Sequence, residues 1–358
     1  MAKFVQRFTQ TVKEATLVYC SGQKGSVDML ETARKIFLQT TISVFIDSEV
    51  LKLHPEFTEE YYKYEEQLED VTMLSTSLPP AISIFFQRSV ASKRKVLMGK
   101  LQPIVERLLK ENSGGYVSKL SEMSKRHEDF PSASPELVTE YCIGILFAGH
   151  KNPSIACSQT LLMLLEHPEH FNKVKEEIKR LVPDRASLDS FLASPTFFEK
   201  LGELKHLDNC TKEVLRLISH AIGAVRYVQQ EVTLQTETGA SYVIPKGSTL
   251  GGSHILMSMD EKRWPEPHTF NPDRWNTDQA KHNPLAQPQG PELPNSFIPF
   301  SGGTHVCPGR FIALWILKGF IVTWVSLFEL EVQKPVAGIS FHRATLAQRS
   351  APVIVHYQ

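Results

Sequence analysis

One long apolar segment constrains the fold of this chain more than any other feature. Ser134 and Pro135 match an N-cap and a first helical residue, and the apolar periodicity then continues to about His167. The sequence therefore predicts a helix of about 32 residues, or about 48 Å at 1.5 Å per residue. Because this helix is apolar on most sides, it must cross the interior of the molecule.

The composition is that of a globular protein with balanced charge. The chain has 358 residues, of which 42% are hydrophobic, and 39 Lys and Arg residues face 39 Asp and Glu residues. This balance gives no overall field that would attract nucleic acid or an anionic membrane, so nucleic acid is not expected as a partner. No Gly/Ser linker interrupts the sequence, which favours one domain over residues 1–358.

Periodicity elsewhere predicts a mainly α-helical fold with a small β-sheet element. Residues 1–112 carry several segments with apolar residues at helical spacing. Residues 224–250 instead alternate apolar and polar side chains around turn signals, among them Glu237-Thr238-Gly239, and this pattern predicts a small hairpin sheet.

A second apolar segment, Phe311 to Phe328, is 18 residues long with a single charge at Lys318. Its length is marginal for a membrane span. A buried core helix is the favoured interpretation, because Lys318 lies in mid-segment and a Gly-rich loop leads directly into it.

The loop before this segment, Phe300 to Arg310 (FSGGTHVCPGR), contains Cys307. The chain has five scattered cysteines without a CxxC pair, which argues against a disulfide framework and a four-ligand zinc site. The following helix N-terminus and the N–H groups of the loop stabilise a thiolate at Cys307, and a thiolate can hold iron. A buried structural cysteine is the alternative. A nucleophile assisted by His305 is a weaker one, since two residues in one loop form an awkward pair of nucleophile and base.

The loop follows the pattern F-x-x-G-x-(H/R)-x-C-x-G and resembles the heme-binding loop of the cytochrome P-450 superfamily. The resemblance implies that Cys307 is the axial ligand of the iron in heme b, and that Phe300, Gly303, His305 and Gly309 complete the cofactor-binding loop. His305 stands where the family usually has Arg, so the implied contact with a heme propionate is weaker and pH-dependent.

A second motif lies upstream of this loop. Taken alone, Glu213 and Arg216 predict an exposed ion pair three residues apart. In the family context they resemble the E-x-x-R pair, and Phe270 to Trp275 resembles the P-x-R-(F/W) segment that follows it. The resemblance implies a buried triad of Glu213, Arg216 and Arg274, in which each charge must be paired.

A third motif lies within the long helix, where Ala148 to Asn152 (AGHKN) resembles the oxygen-binding A-G-x-x-T stretch. The resemblance implies catalytic roles for Ala148, Gly149 and Asn152. Pro153 has no N–H for the Gly149 carbonyl, which predicts a bend that opens a groove. A simple helix break is the alternative. Asn152 replaces the usual Thr and lacks the hydroxyl that helps to relay protons.

Three basic residues near these motifs have two interpretations each. The resemblance implies that Arg226, in the first predicted hairpin strand, contacts a heme propionate; an ordinary exposed Arg is equally consistent with the sequence. Arg310 and Lys318 are candidates for docking an acidic partner, although solvated surface charge is the favoured interpretation.

The combination of Asn152 and Pro153 is similar to the group that contains cholesterol 7α-hydroxylase, sterol 12α-hydroxylase and prostacyclin synthase, and the first 110 residues are similar in layout to the sterol 14α-demethylase clan. The resemblance implies a heme-thiolate monooxygenase that acts on a small hydrophobic, lipid or sterol-like substrate with electrons from an NADPH–cytochrome P-450 reductase. A lipid peroxide isomerase, which needs neither O2 nor a reductase, and an inactive heme-binding remnant are the alternatives.

The resemblance begins after the N-terminal portion of the family. The sequence thus predicts a truncated cytochrome P-450 domain with impaired heme affinity and stability, because apolar surface stays uncovered where the missing portion would pack. Full-length relatives are expected at the cytosolic face of the endoplasmic reticulum membrane. This chain contains no evident anchor, and peripheral membrane contact is what the resemblance implies for it.

Overall fold

The computed structural model describes residues 1–22, 24–75, 80–112, 114–125, 134–220, 222–236, 238–276, 297–342 and 346–358. Within these residues the chain is mainly helical with small antiparallel sheets, which confirms the predicted fold class. In chain order the helices are α1 (Ala2–Tyr19), α2 (Met29–Thr41), α3 (Glu49–Leu53), α4 (Phe57–Ser75), α5 (Pro80–Glu111), α6 (Tyr116–Lys125), α7 (Pro135–Glu166), α8 (Pro168–Leu181), α9 (Ser187–Ala193), α10 (Phe197–Leu201), α11 (Lys205–Ile218), α12 (His254–Ser258) and α13 (Arg310–Leu327).

Three further segments are helical with a different pitch. A π-helical segment, Ile42–Asp47, continues directly from α2, and 3-10 turns are formed by Pro272–Trp275 and Gly303–His305. The second of these turns lies in the loop of Cys307, so that loop is held by local hydrogen bonds before α13 begins.

The long helix α7 has the bounds that the sequence predicts. The Ser134 hydroxyl accepts a hydrogen bond from the Leu137 N–H at 3.2 Å, and Pro135 occupies the first turn, where its missing N–H costs nothing. The helix is 32 residues long, and its second half, residues 154–165, is buried on all sides. It packs against α2, α5, α11 and α13, so it crosses the interior as predicted.

Helix α13 corresponds to the second apolar segment and packs against α1, α7 and α11. It is the one helix in the described ranges that is long and apolar enough to cross a membrane, and 61% of it is buried inside the fold. At its closest approach to α1, a β-carbon on Gly319 would lie 2.4 Å from Thr9 Oγ1, so only glycine permits this contact. These contacts support the prediction of a core helix.

The strands form small sheets at the periphery of the helices. The strands are β1 (Gly25–Asp28), β2 (Ile222–Tyr227), β3 (Val232–Gln235), β4 (Ser241–Ile244), β5 (Thr249–Ser253), β6 (Leu330–Val332), β7 (Ile339–Ser340), β8 (Gln348–Arg349) and β9 (Ile354–Tyr357). A three-stranded antiparallel sheet has the order β1-β9-β6, and β2 pairs with β5, β3 with β4 and β7 with β8. The β3–β4 hairpin and the β2–β5 pair confirm the sheet predicted from residues 224–250.

Two hydrophobic clusters lie along α7. The larger one joins the second half of α7 to α1, α8, α11 and α13. The smaller one joins the first half of α7 to α4 and α5. Because the first half of α7 is covered on one side only, a stripe of its residues remains exposed, and this stripe contains Ala148 and Asn152 of the AGHKN motif.

Candidate functional site

Backbone hydrogen bonds shape the loop that contains Cys307. The Cys307 N–H donates to the Phe300 carbonyl at 2.9 Å, and the Val306 N–H donates to the Gly303 carbonyl at 3.2 Å. The loop turns through two residues in the left-handed region, Ser301 with φ 62° and Gly303 with φ 65°. This conformation costs Ser301 free energy that glycine does not incur at position 303. The result is a preformed turn that presents Cys307 directly before α13.

Cys307 differs from the other four cysteines in its environment. Its side chain is partly exposed, whereas Cys20, Cys142, Cys157 and Cys210 are buried. Burial raises the pKa of all four buried thiols, to about 11 for Cys20 and about 12 for Cys142. Those four therefore stay protonated and inaccessible at neutral pH.

The surroundings of Cys307 suit an anionic sulfur ligand. The sulfur lies at the N-terminus of an 18-residue helix, and a β-carbon on Gly309 would lie 3.7 Å from Sγ, so the glycine leaves the space beside the sulfur open. Arg310 donates from Nη1 to the Cys307 carbonyl at 3.1 Å and brings a positive charge to the same turn. The accessible thiol, the helix N-terminus and the cation together fit a thiolate that holds a heme iron.

Glu213, Arg216 and Arg274 form one hydrogen-bonded cluster. Arg216 donates to both oxygens of Glu213, from Nε at 3.0 Å and from Nη2 at 2.8 Å, and Arg274 Nε donates to Oε1 at 2.9 Å. The Trp275 indole N–H and the Asn271 backbone N–H also donate to this carboxylate. Glu213 and Arg216 are completely buried, so the exposed i,i+3 pair that these two residues alone suggest is wrong.

Cys307 and this triad belong to connected elements. Helix α11, which carries Glu213 and Arg216, packs against α13 and against the 3-10 turn Pro272–Trp275. Phe297, which precedes the Cys307 loop, contacts the ring of Trp275 with centroids 4.6 Å apart. The triad thus supports the element that leads into the loop.

The AGHKN motif divides between two faces of α7. Ala148 and Asn152 are exposed, together with Gly144 and Tyr141, and their spacing of three or four residues puts them on one stripe. Gly149 is half-buried and turned toward α2, where a β-carbon would lie 3.0 Å from Thr41 Cγ2. The stripe can therefore offer a small methyl group and an amide to a bound molecule, while Gly149 permits the close contact of two helices.

Thr41 contacts the backbone where Pro153 removes a donor. The Gly149 carbonyl lacks its usual N–H partner four residues on, and Thr41 Oγ1 lies 3.3 Å from it. The same hydroxyl is 2.7 Å from the Phe37 carbonyl, so its one proton is shared between two acceptors. The predicted bend at Pro153 stays a prediction.

The sequence reading missed a buried polar cluster on the other face of α7. His150 Nδ1 lies 2.8 Å from the Leu146 carbonyl, and His150 Nε2 lies 3.3 Å from Oε2 of Glu65 on α4. Lys151 pairs with Glu69 at 2.7 Å and with Glu65 at 3.5 Å. Burial raises the pKa of the Glu65 carboxyl, but the contact with His150 and the charges around it lower that pKa to about 2.

The sequence does not predict this cluster, because its residues are distant from one another in the chain. Arg34 on α2 adds a third basic side chain, whose Nη2 lies 3.0 Å from Glu65 Oε2, so the cluster joins α2, α4 and α7. One sequence feature does indicate buried counter-charges. The two basic residues His150 and Lys151 are neighbours inside a largely apolar helix.

Arg226 and His305, both expected to contact a heme propionate, are exposed. Arg226 lies on β2, opposite Leu250 of β5, and its Nη1 donates to the neighbouring Val225 carbonyl at 3.0 Å. His305 ends the 3-10 turn of the Cys307 loop. Within the described residues, neither side chain has a buried hydrogen-bond partner.

Lys318 corrects one prediction. It is neither a solvated charge nor a docking residue: it is buried, and its Nζ lies 3.3 Å from Asp208 Oδ1. Burial lowers the pKa of Lys318, and Asp208 opposes this shift. The stem of Lys318 crosses apolar surroundings to reach a carboxylate that also pairs with Lys212 at 2.8 Å.

The fold and the cysteine loop together define a mainly helical protein of the heme-thiolate class. Residues 1–355 match the family model described as Cytochrome P450, so the chain belongs to this family, as the three motifs predict.

The relatives with similar sequences include sterol-acting enzymes by name. The chain is 26% identical over 344 residues to "Sterol 14alpha-demethylase" of Mycolicibacterium vanbaalenii, which covers 94% of this chain and 70% of the relative. It is 29% identical over 249 residues to "7-alpha-hydroxycholest-4-en-3-one 12-alpha-hydroxylase" of Homo sapiens, covering 66% and 48%. With "Cytochrome P450 7A1" of Oryctolagus cuniculus it shares 30% over 191 residues, covering 53% and 38%.

Two solved structures share the fold. "Retinoic acid bound cyanobacterial CYP120A1" superposes with a TM-score of 0.77 at 20% identity and covers 100% of this chain and 76% of that one. "Crystal structure of cytochrome P450DA heme domain" superposes with the same TM-score at 17% identity and covers 100% and 74%. At these identities the similarity concerns the fold.

Proposed function

We propose that the chain is a heme-thiolate monooxygenase that inserts one oxygen atom of O2 into a lipid or sterol-like substrate. The observation that carries this proposal is that Cys307 is the one partly exposed cysteine among five and lies in the family loop at the N-terminus of α13. When bound, heme supplies the iron that activates O2. The residues of this chain supply the ligand, the shape of the site and its electrostatics.

Cys307 acts as the metal ligand in this proposal. The N-terminus of α13 and the Arg310 guanidinium, which donates to the Cys307 carbonyl, put positive charge in the turn that carries this ligand. The hydrogen bond from the Cys307 N–H to the Phe300 carbonyl fixes the direction of the side chain before a cofactor binds. Gly303, His305 and Gly309 would border the cofactor, and the exposed Arg226 would pair with a propionate.

The exposed stripe of α7 borders the substrate and the oxygen site. Ala148 leaves room for a small molecule beside the helix, and the Asn152 amide can donate a hydrogen bond to an oxygen atom. An amide does not exchange its protons as readily as a hydroxyl, so Asn152 positions the oxygen rather than relaying protons. Two relatives support a sterol-like substrate, because the one from Mycolicibacterium vanbaalenii is a sterol demethylase by name and the one from Homo sapiens is a hydroxylase of a cholestenone by name.

Electrons come from an NADPH–cytochrome P-450 reductase in this proposal, and the protein works at the endoplasmic reticulum membrane. Lys318 takes no part in docking this partner, because its charge is buried against Asp208. Arg310 is half-buried and turned toward its own loop, so other surface residues must form the docking contact.

The experiment is turnover of a sterol under isotopically labelled O2 with the reductase and NADPH. The proposal expects one labelled oxygen atom in the product and loss of product in a Cys307→Ser variant. Product that forms without O2 overturns the proposal.

The Asn152→Thr variant restores a hydroxyl at the exposed stripe. It is expected to keep or raise the fraction of the consumed electrons that is used for product formation.

A second function is favoured by Asn152 itself. A lipid peroxide isomerase needs a group that holds a peroxide oxygen but no proton relay, and an exposed amide on this stripe fits that need. Rearrangement of a lipid hydroperoxide without NADPH and reductase would replace the monooxygenase proposal. If turnover depends strictly on the reductase, the isomerase function is excluded.

A further inference from the structure

Two histidines join helices α8 and α11. His170 Nδ1 and His206 Nε2 are 3.1 Å apart, the two ring centroids are 5.2 Å apart, and the ring planes differ by 22°. The centroid separation is close to the N···N distance plus the two ring radii. The two nitrogens therefore point toward each other nearly along one line, which is the geometry of an N–H···N hydrogen bond.

Such a bond limits how many protons the pair can hold. One nitrogen must donate and the other must offer its lone pair. A first additional proton binds at an outer nitrogen of the donor ring and leaves the hydrogen bond intact. A second one must occupy the accepting nitrogen, so two N–H groups on two cations would then face each other. The pair thus titrates in two steps, and only the second one breaks the bond.

The pair lies at a contact between three elements. The Glu177 carboxylate of α8 accepts from the backbone N–H groups of His206 and Leu207, at 2.8 and 3.0 Å, and so caps the N-terminus of α11. The Phe270 ring packs on His170 with centroids 5.6 Å apart. Phe270 begins the segment that supplies Arg274 to the triad, and α11 supplies Glu213 and Arg216.

Charged and titratable groups act on the pair from α8 and from the 3-10 turn Pro272–Trp275. Asp273 favours the protonated form of both histidines, and Lys173 opposes it. Burial lowers the pKa of both imidazoles and is the largest of these influences. The groups that act on the pair are Glu169, Lys173, His167 and Glu177 from α8 and its first turn, and Asp273 from the 3-10 turn.

We propose that the His170–His206 pair is an acid-sensitive latch, which holds α8 and the triad segment against α11 while it carries at most one charge and releases them when both rings are protonated. The proposal does not rest on the proposed heme chemistry, since neither histidine belongs to the Cys307 loop or to the α7 stripe.

The direction of the pH dependence follows from linkage. Because the pKa of each imidazole in the folded protein is below that in the unfolded chain, the unfolded chain binds these protons first as the pH falls. The stabilisation is complete above the unfolded value of about 6.5 and is lost as the pH falls toward the folded values.

The test compares the full chain with a His206→Gln variant. The Gln amide oxygen can accept the bond from His170 but cannot take the second proton. Denaturant unfolding is measured at several pH values between about 7 and about 5. For each unit by which the pH is lowered, we expect the unfolding constant of the wild type to increase up to about tenfold more than that of the variant. A His268→Gln variant, which changes an exposed histidine in the same region, is expected to keep the wild-type slope.

A second readout is independent of unfolding. Histidine NMR signals are expected to show that the titration of His170 changes when His206 is replaced by Gln but not when His268 is. If the wild type and the His206→Gln variant share one unfolding slope, or if His170 titrates identically in both, the latch does not exist.

Discussion

Glu213 and Glu65 are both completely buried carboxylates, yet the donors around them differ. Glu213 receives hydrogen bonds from two guanidinium groups, an indole and a backbone N–H, and Arg216 is further bonded to the Ser258 carbonyl at 2.7 Å. Glu65 instead has nitrogens of Arg34, His150 and Lys151 at 3.0, 3.3 and 3.5 Å, and its Oε1 has no hydrogen-bond donor within the described part of the chain.

The two carboxylates therefore differ in how strictly they hold their neighbours in one arrangement. A saturated carboxylate holds one arrangement of its neighbours, because any movement leaves a buried charge unpaired. A carboxylate with longer contacts and a spare acceptor leaves room for movement between helices. We expect the triad to contribute more to the stability of the folded protein than the Glu65 cluster does.

The largest effect is expected for Glu213→Gln. This change keeps the side-chain volume and removes the charge that compensates Arg216 and Arg274. Removal of one partner of a buried ion pair costs about 3–5 kcal/mol of unfolding free energy. Denaturant unfolding measures it, with Glu31→Gln as control, since the exposed pair of Glu31 with Lys35 contributes at most about 1 kcal/mol. Equal losses in the two variants would contradict the role of the triad.

A smaller loss is expected for Glu65→Gln. Lys151 keeps its pair with Glu69 at 2.7 Å, and the side chain of Arg34 is 26% exposed to solvent, so both of these charges stay compensated when Glu65 is neutralised. We expect a loss of about 1–3 kcal/mol in the same unfolding experiment. A loss as large as that of Glu213→Gln would show that the two clusters are equally rigid.

The same cluster predicts a pH dependence at acid pH. The pKa of Glu65 is lowered from 4.5 to about 2 in the folded protein, so the unfolded chain takes up this proton first. The stabilisation from the carboxylate is complete above about pH 4.5 and is lost as the pH falls toward 2. Between about pH 4 and about pH 3, the difference in unfolding constant between wild type and Glu65→Gln is expected to shrink by up to about tenfold. If the difference between the two unfolding constants did not change over this pH range, the lowered pKa of Glu65 in the folded protein would be contradicted.

The smallest effect is expected for Lys318→Met. Asp208 keeps its pair with Lys212, and the buried ammonium is replaced by an apolar side chain of similar volume. We expect a change within about 1 kcal/mol in either direction. Lys318→Glu, which places a second carboxylate beside Asp208, is the contrasting variant and is expected to be strongly destabilised. A large loss for the Met variant would show that this pair resembles the triad.

The sequence predicted the features that depend on neighbouring residues. The cap at Ser134 and the α7 periodicity are local, and the spacing of the cysteine loop is fixed by one turn, so these could be read directly. The family resemblance added the contact between Glu213 and Arg274, which no local pattern specifies.

Other features depend on contacts between distant helices. The partners of His150 and Lys151 lie on α4, and the partner of Lys318 lies on α11, so neither pairing leaves a pattern in one segment. Gly149 illustrates the same limit, because its half-burial against Thr41 follows from the packing of α2 on α7 and not from the motif that contains it.

The most direct test of the central claim is the absorption spectrum of the reduced, CO-treated protein after heme reconstitution. Thiolate ligation by Cys307 predicts a strongly red-shifted Soret band that is lost in Cys307→Ser. Cys142→Ala is the matched control, because burial keeps that thiol protonated with a pKa of about 12, and it is expected to retain the band. A protein that binds no heme, or a band unchanged in Cys307→Ser, would contradict the account.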